Sequence, residues 1–122
     1  MIRSASVSLF QMASAGPMLG QVHTFVRYGE GKNEEASERY LNEGKRIYRV
    51  MDKQLSDNAY FLGDDYSIVD IAVFPWVGRF DWQTIDLNDY ENVKRWYLNI
   101  ADRPAVKRGW KVPENDQPMP MP

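Results

Sequence analysis

Phe61-Leu62-Gly63-Asp64-Asp65-Tyr66-Ser67-Ile68-Val69-Asp70-Ile71-Ala72 is the stretch on which the fold turns. Ser67 stands where a helix wants its N-cap, and Asp70 follows three residues later. The Ser67 side chain can cap the N3 amide while the Asp70 carboxylate reaches back to the Ser67 amide, an acidic form of the capping box. Tyr66 before the cap and Ile71 at N4 have the spacing of a hydrophobic staple. The helix so started is expected over Ile68 to about Trp82. Ile71, Ala72, Val73, Phe74, Trp76, Val77 and Phe80 make it apolar on most sides, and such a helix belongs in the centre of a fold. Pro75 lies inside it, removes one backbone bond and is expected to bend it. Asp64 and Asp65 precede a cap, so they read as turn residues before they read as metal ligands.

Helical spacing recurs on both sides of this stretch. From Asn33 to Asp57, Ala36, Tyr40, Leu41, Gly44, Ile47, Tyr48, Met51 and Leu55 form one stripe, with charged residues between them. Acids lead and bases follow, which suits the helix dipole, and Asn33 is a reasonable N-cap after the Gly-Glu-Gly loop at 29–31. A further helix is expected from about Asp89, as N-cap, to Ala101, with Val93, Trp96, Tyr97, Ile100 and Ala101 on one face. Arg103-Pro104 restarts the chain, and Pro104 suits the first position of a short helix to about Gly109. The first 28 residues are less regular. Ser8 to Gln11 and Met18 to Tyr28 look helical, and Gly16-Pro17 predicts a kink or two segments. The expectation is an all-α domain of about five helices over residues 1–112, then a Pro-rich irregular tail over 113–122 that can fold over the surface.

Composition narrows the function classes. A chain of 122 residues is one domain and can bury roughly two-thirds of its unfolded surface. It contains no cysteine, which excludes a disulfide scaffold, a thiolate zinc site and a cysteine nucleophile. Fifteen basic residues against seventeen acidic ones argue against a nucleic-acid partner. No apolar run approaches a membrane span and no signal peptide is present, so the expectation is a soluble cytoplasmic protein. The four Trp, seven Tyr and five Phe are a heavy aromatic load.

Candidate chemistry is thin. His23, the single histidine, sits beside Val22 and Phe25, where a packing or hydrogen-bonding role is the ordinary one. No metal set and no phosphate loop is indicated; Gly29 and Gly31 lack a Lys-Ser/Thr partner. Arg103, Lys107, Arg108 and Lys111 form a basic cluster whose usual meaning is a solvated face. Phe74-Pro75-Trp76 and Trp110 are core residues or, alternatively, the wall of an aromatic pocket.

The capping-box stretch resembles the signature of the glutathione S-transferase C-terminal domain, with Ser67, Asp70, Tyr66 and Ile71 in the roles of box and staple. Arg103-Pro104-Ala105-Val106-Lys107-Arg108-Gly109 resembles the last helix of bacterial members. Phe10-Gln11-Met12, Gly16-Pro17-Met18-Leu19-Gly20-Gln21, His23 and Phe74-Pro75-Trp76-Val77 are similar to the bacterial nu-class (Ure2-like) branch, which includes glutathione-dependent disulfide-bond oxidoreductases. The resemblance covers about residues 8 to 113, and residues 1–8 depart from it.

The resemblance implies a glutathione transferase-type helical bundle without the thioredoxin-like domain that carries the thiol-activating residue. It implies the substrate-side half of a protein that conjugates glutathione or reduces disulfides with it, inactive alone, and therefore no catalytic residue here. Gln11, Met12, Met18, Leu19, Tyr48 and Trp110 are implied to line the substrate site. Arg46, then Arg39, is implied to hold a glutathione carboxylate. Glutathione is the implied co-substrate, a thioredoxin-like domain and a second copy of the chain the implied partners. The alternatives are a non-catalytic interaction module of the same fold and a carrier of an apolar ligand.

Overall fold

The computed structural model describes residues 2–122, and every regular element among them is helical; one isolated bridge joins Tyr60 and Gly63. The chain begins with a single long helical run. α1 (Ile2–Phe10) passes through a π-helical turn at Gln11–Ala15 into α2 (Gly16–Val22) and a second π-helical turn at His23–Tyr28. α3 (Glu34–Leu55), α4 (Ile68–Val77), α5 (Glu91–Ala101) and α6 (Pro104–Trp110) follow. Counted with the opening run as one, these are the five helical stretches expected. Among the described residues no helix is long and apolar enough to cross a membrane.

The sequence pattern suggested an interruption at Gly16-Pro17, and the helix runs through it. The Gly16 N–H bonds back five residues to the Gln11 carbonyl, which widens the turn. Pro17 then falls in the first turn of α2, where its missing N–H is not needed. The helix also begins at Ile2, earlier than the Ser8 at which periodicity becomes visible.

α3 starts as expected, with the Asn33 side chain accepting the Ala36 N–H at 3.0 Å. It is amphipathic, burying Gly44, Ile47, Tyr48, Met51 and Leu55. α4 carries the expected capping box. The Asp70 carboxylate accepts the Ser67 N–H at 2.9 Å, and Ser67 Oγ accepts the Val69 N–H at 3.3 Å. Two expectations for α4 are corrected. It ends at Val77, not near Trp82: Gly78 is its C-cap and donates its N–H to the Phe74 carbonyl, and the Trp110 ring sits on that glycine, where a Cβ would lie 3.0 Å from Trp110 Cζ3. Nor is it enclosed on all sides. Val69, Asp70, Val73, Phe74 and Val77 are buried, while Ile68, Ile71, Ala72 and Pro75 are exposed. Tyr66 and Ile71 line a common groove, but Ile71 keeps 54% of its surface in solvent.

α5 is not capped by Asp89, which ends a 3₁₀ turn at Leu87–Asp89. Its first amides are instead taken by Asp52 of α3, whose Oδ1 accepts the Asn92 N–H at 2.8 Å and the Val93 N–H at 3.1 Å. The core between α2, α3, α4 and α5 is aromatic. Phe61 meets Trp96 edge-on at 5.1 Å, and Phe74 stacks on Tyr97 at 5.2 Å. Residues 113–122 are irregular and fold back, with the Trp110 indole donating to the Gln117 carbonyl at 3.0 Å and the Tyr97 hydroxyl to the Pro120 carbonyl at 2.7 Å.

Candidate functional site

The opening run and α4 meet along a groove of about 490 Å³ lined by Gln11, Met12, Gly16, Pro17, Gly20, Gln21, Thr24 and Trp76. Its floor follows from residue size. Gly16 and Gly20, one turn apart, present bare backbone to the Trp76 ring, and a Cβ on either would sit 3.5–3.8 Å from it. Gln11 is buried at one end and donates its amide to the Ala72 carbonyl at 3.5 Å, beside the point where Pro75 interrupts the hydrogen bonding of α4. Met12 is exposed at the rim.

Trp76 is held from beneath by a buried polar relay. Gln83 is fully buried. Its Oε1 accepts the Tyr48 hydroxyl at 2.7 Å, and its Nε2 donates to the Trp76 carbonyl at 2.8 Å. The second amide hydrogen points to His23 Nε2, 3.0 Å away, so that nitrogen accepts and the ring proton sits on Nδ1. Half-burial pushes the His23 pKa below its ordinary value, and the Arg79 charge lowers it further against a smaller opposing effect of Asp81. Burial raises the Tyr48 phenol well above its usual range, so it stays a donor. The relay therefore fixes one tautomer of a neutral imidazole between Trp76 and Trp82, whose ring centroids lie 6.0 and 5.7 Å from it.

A second cleft, of about 530 Å³, is lined by Met18, Arg39, Tyr40, Asn42, Glu43, Arg46 and Arg49. Arg46 donates to both Glu43 oxygens, at 2.8 and 2.7 Å. The hydrogen bond from Arg46 holds the Glu43 carboxyl below its usual value. Arg39 and Arg49 make no ion pair among the described residues, so the cleft carries more positive charge than it neutralises.

The candidate site residues thus fall into separate places. Gln11 and Met12 share the Trp76 groove. Met18 lies with Arg39 and Arg46 in the basic cleft. Trp110 lines a third groove, on the far side of α4 with α6. Leu19 and Tyr48 are corrected to core positions: both are fully buried, Leu19 opposite Gly44 and Tyr48 on Gln83, and neither lines these grooves. Residue-type reasoning missed Gln83 and Arg79. Gln83 had one visible signal, a lone amide between Trp82 and Ile85 in an aromatic-rich stretch. No cluster of His, Asp or Glu suited to a metal ion occurs among the described residues.

Comparison with known proteins agrees with this architecture. Residues 12–104 match the family "Glutathione S-transferase, C-terminal domain". The chain belongs to the glutathione S-transferase C-terminal domain family. It is 43% identical over 97 residues to the Escherichia coli disulfide-bond oxidoreductase YfcG, covering 80% of this chain and 45% of the relative. It is 37% identical over 119 residues to the E. coli disulfide-bond oxidoreductase YghU, covering 91% of this chain and 41% of that protein. A glutathione transferase from Pseudomonas putida, solved with one glutathione disulfide bound per subunit, superposes with a TM-score of 0.83 at 34% identity. That match covers 92% of this chain and 51% of the other. The transferase-type domain thus spans less than half the length of these two curated relatives.

Proposed function

We propose that this chain is the substrate-side helical half of a glutathione-dependent transferase or disulfide reductase of the bacterial Ure2-like branch. In this reading the Trp76 groove is the wall against which an electrophile or disulfide rests. Met12 offers a polarisable thioether and Trp76 a broad apolar face, surfaces that suit such substrates. Arg46, oriented by Glu43, and Arg39, which has no acidic partner among the described residues, hold a glutathione carboxylate through the planar fork of the guanidinium. The groups that activate the thiol come from a thioredoxin-like half, so the helical chain by itself is inactive.

The observation that carries the reading is the unpartnered apolar surface on the opening run and α4. Leu9 and Met12 on the opening run are 65% and 69% exposed, and Ile68 and Ile71 on the adjoining α4 are 76% and 54% exposed. Soluble monomers keep such patches small, and larger ones mark interaction sites. A thioredoxin-like half seated there would cover the patch and face the groove, and a homodimer is the proposed assembly. The test joins this chain to the thioredoxin-like half of a relative and measures glutathione-dependent reduction of a small disulfide. The joined protein should turn over, Trp76→Ala should raise KM, and the lone chain should give neither turnover nor micromolar glutathione binding by calorimetry. Turnover by the lone chain, or an unchanged KM in Trp76→Ala, would overturn the proposal.

A further inference from the structure

We infer that the groove between α4 and α6 is a binding site for a small amphipathic monocarboxylate, with Arg79 as its anion-binding group. This inference goes beyond the proposed function and does not depend on it.

The groove has a volume of about 370 Å³, at the small end of the range that holds organic ligands. Tyr66, Phe74, Pro75, Val106 and Trp110 give it apolar walls, and Arg79 is the one charged residue in its lining. Arg79 is packed near two indole rings. Its guanidinium carbon lies 4.6 Å from the ring centroid of Trp82 and 4.8 Å from that of Trp110. Trp110 is in turn seated on Gly78 and tied through its indole N–H to the Gln117 carbonyl. Both indoles therefore lie within cation–π distance of the guanidinium.

The Arg79 N–H groups have no acceptor among the described residues. Among the described residues the Arg79 side chain makes no ion pair, and no hydrogen bond from it is formed. No buried side-chain nitrogen lacks a partner, so the Arg79 nitrogens must reach solvent. Its charge is correspondingly felt nearby: it lowers the pKa of both His23 and Tyr97, while Asp81, the acid that shares this neighbourhood, acts in the opposite direction without pairing to it. Arg103 lies over the Tyr66 ring at 3.9 Å but is not part of the groove lining. Lys107, by contrast, is already committed to Asp102 at 2.6 Å.

The site thus offers a partly buried cation with unpaired donors beside an apolar slot. A carboxylate matches the fork of the guanidinium in geometry and balances its single charge; a phosphate dianion would not be balanced by the one cation in the lining. The slot then takes the hydrocarbon or aryl body. Cation–π contact with Trp82 and Trp110 favours this Arg79 conformation before any ligand arrives, which lowers the entropy cost of binding.

The experiment titrates the full 122-residue chain by calorimetry with naphthoate and, separately, with naphthamide, which has the same ring body and no charge. Naphthoate should bind about tenfold tighter or more, as a charge-assisted hydrogen-bond pair implies. Arg79→Gln keeps a flat amide to lie on the indoles and should bring naphthoate down to the naphthamide level. Val106→Trp should fill the slot and weaken both probes, and Lys111→Gln, a charge removed outside the lining, should change neither. Far-ultraviolet circular dichroism accompanies each variant. If Arg79→Gln does not fold, the acid–amide comparison in the unaltered chain and the Val106→Trp titration decide the matter by themselves. Equal affinity for the two probes, a naphthoate preference surviving in Arg79→Gln, or undiminished binding in Val106→Trp would each overturn the inference. Saturating glutathione should leave naphthoate binding unchanged; displacement would overturn the separateness of this site from the proposed substrate groove.

Discussion

Asp70 is the residue whose removal should cost this domain most. Its carboxylate is fully buried and accepts four hydrogen bonds. Oδ1 takes the Phe61 N–H at 3.1 Å and the Trp96 indole N–H at 2.9 Å. Oδ2 takes the Ser67 N–H and the Ser67 hydroxyl, both at 2.9 Å. One side chain therefore joins the start of α4, the loop before it and the centre of α5. In Asp70→Ala the Phe61 and Trp96 donors are stranded in a dry core, at about 1–3 kcal/mol each. The cap of α4 loses its reciprocal half, worth about 1 kcal/mol, while the Ser67 donors, half-buried, regain water. The sum is about 3–7 kcal/mol, comparable with the whole stability of a domain of this size. With a urea dependence of about 2 kcal/mol per molar, the midpoint should fall by about 1.5–3.5 M.

The ordering of three variants makes the argument refutable. Asp70→Asn keeps an oxygen for Phe61 and Trp96 but turns an amide nitrogen toward the Ser67 donors and loses the charge. It should be destabilised by about 2–3 kcal/mol. Ser67→Ala removes only the local cap and should cost about 1 kcal/mol. Urea unfolding followed by tryptophan emission should rank them wild type, Ser67→Ala, Asp70→Asn, Asp70→Ala. Asp70→Ala falling level with Ser67→Ala would show that the long-range bonds to Phe61 and Trp96 contribute nothing, and the reasoning would fail.

Asp52→Ala should destabilise by about 1–2 kcal/mol and speed amide exchange at Asn92 and Val93, since Asp52 caps α5 from outside; unchanged exchange there would refute it. Gly78→Ala should cost about 1–3 kcal/mol and alter tryptophan emission, because the new methyl meets the Trp110 ring at 3.0–3.2 Å; thermal unfolding at the wild-type temperature would contradict this. His23 contributes a pH dependence of definite sign. Its folded pKa lies below the ordinary 6.5, so the unfolded chain binds more protons between the two values. The contribution is fully present above pH 6.5 and is lost as pH falls through the folded pKa. His23→Asn should flatten stability against pH in that window, whereas Glu43, Asp86 and Asp102, all lowered from ordinary carboxylate values, contribute stability lost as pH falls through their own lowered values. An equal slope in wild type and variant would remove His23 as the cause.

The parts of the fold legible in the sequence are those written locally. The capping box spans Ser67 to Asp70, and the stripes of α3 and α5 each repeat within a few turns, so neighbours in sequence carry them. What escaped was written at a distance. Gly78, directly after Val77, is a local stop signal for α4, but what keeps that position free of a side chain is the Trp110 ring of α6 packed on it. Nothing near Tyr90 names the cap of α5, which comes from Asp52, forty residues earlier. The candidate lining divided on the same principle. Gln11 and Met12 open the π-turn and reach the Trp76 groove, whereas Leu19 and Tyr48 are drawn inward. A stripe position predicts burial more strongly than a resemblance predicts contact with a substrate.

The same contrast gives α4 its last test. Its inner face is satisfied without exception: no buried side-chain nitrogen or oxygen lacks a partner among the described residues. Its outer face is apolar, with Ile68 and Ile71 mostly in water and Ile71 also lining the α4–α6 groove. Residues so exposed add little to the stability of the chain in which they stand, so Ile68→Lys and Ile71→Lys should each shift unfolding of the lone chain by no more than about 0.5 kcal/mol. If this face seats a thioredoxin-like half, the same two charges would be buried without partners on docking, and joined activity should fall steeply. A surface that merely tolerates isoleucine would show neither effect, and a surface used in the chain's own packing would show the first in excess. Docking alone predicts a silent substitution in the isolated chain and a damaging one in the assembled protein.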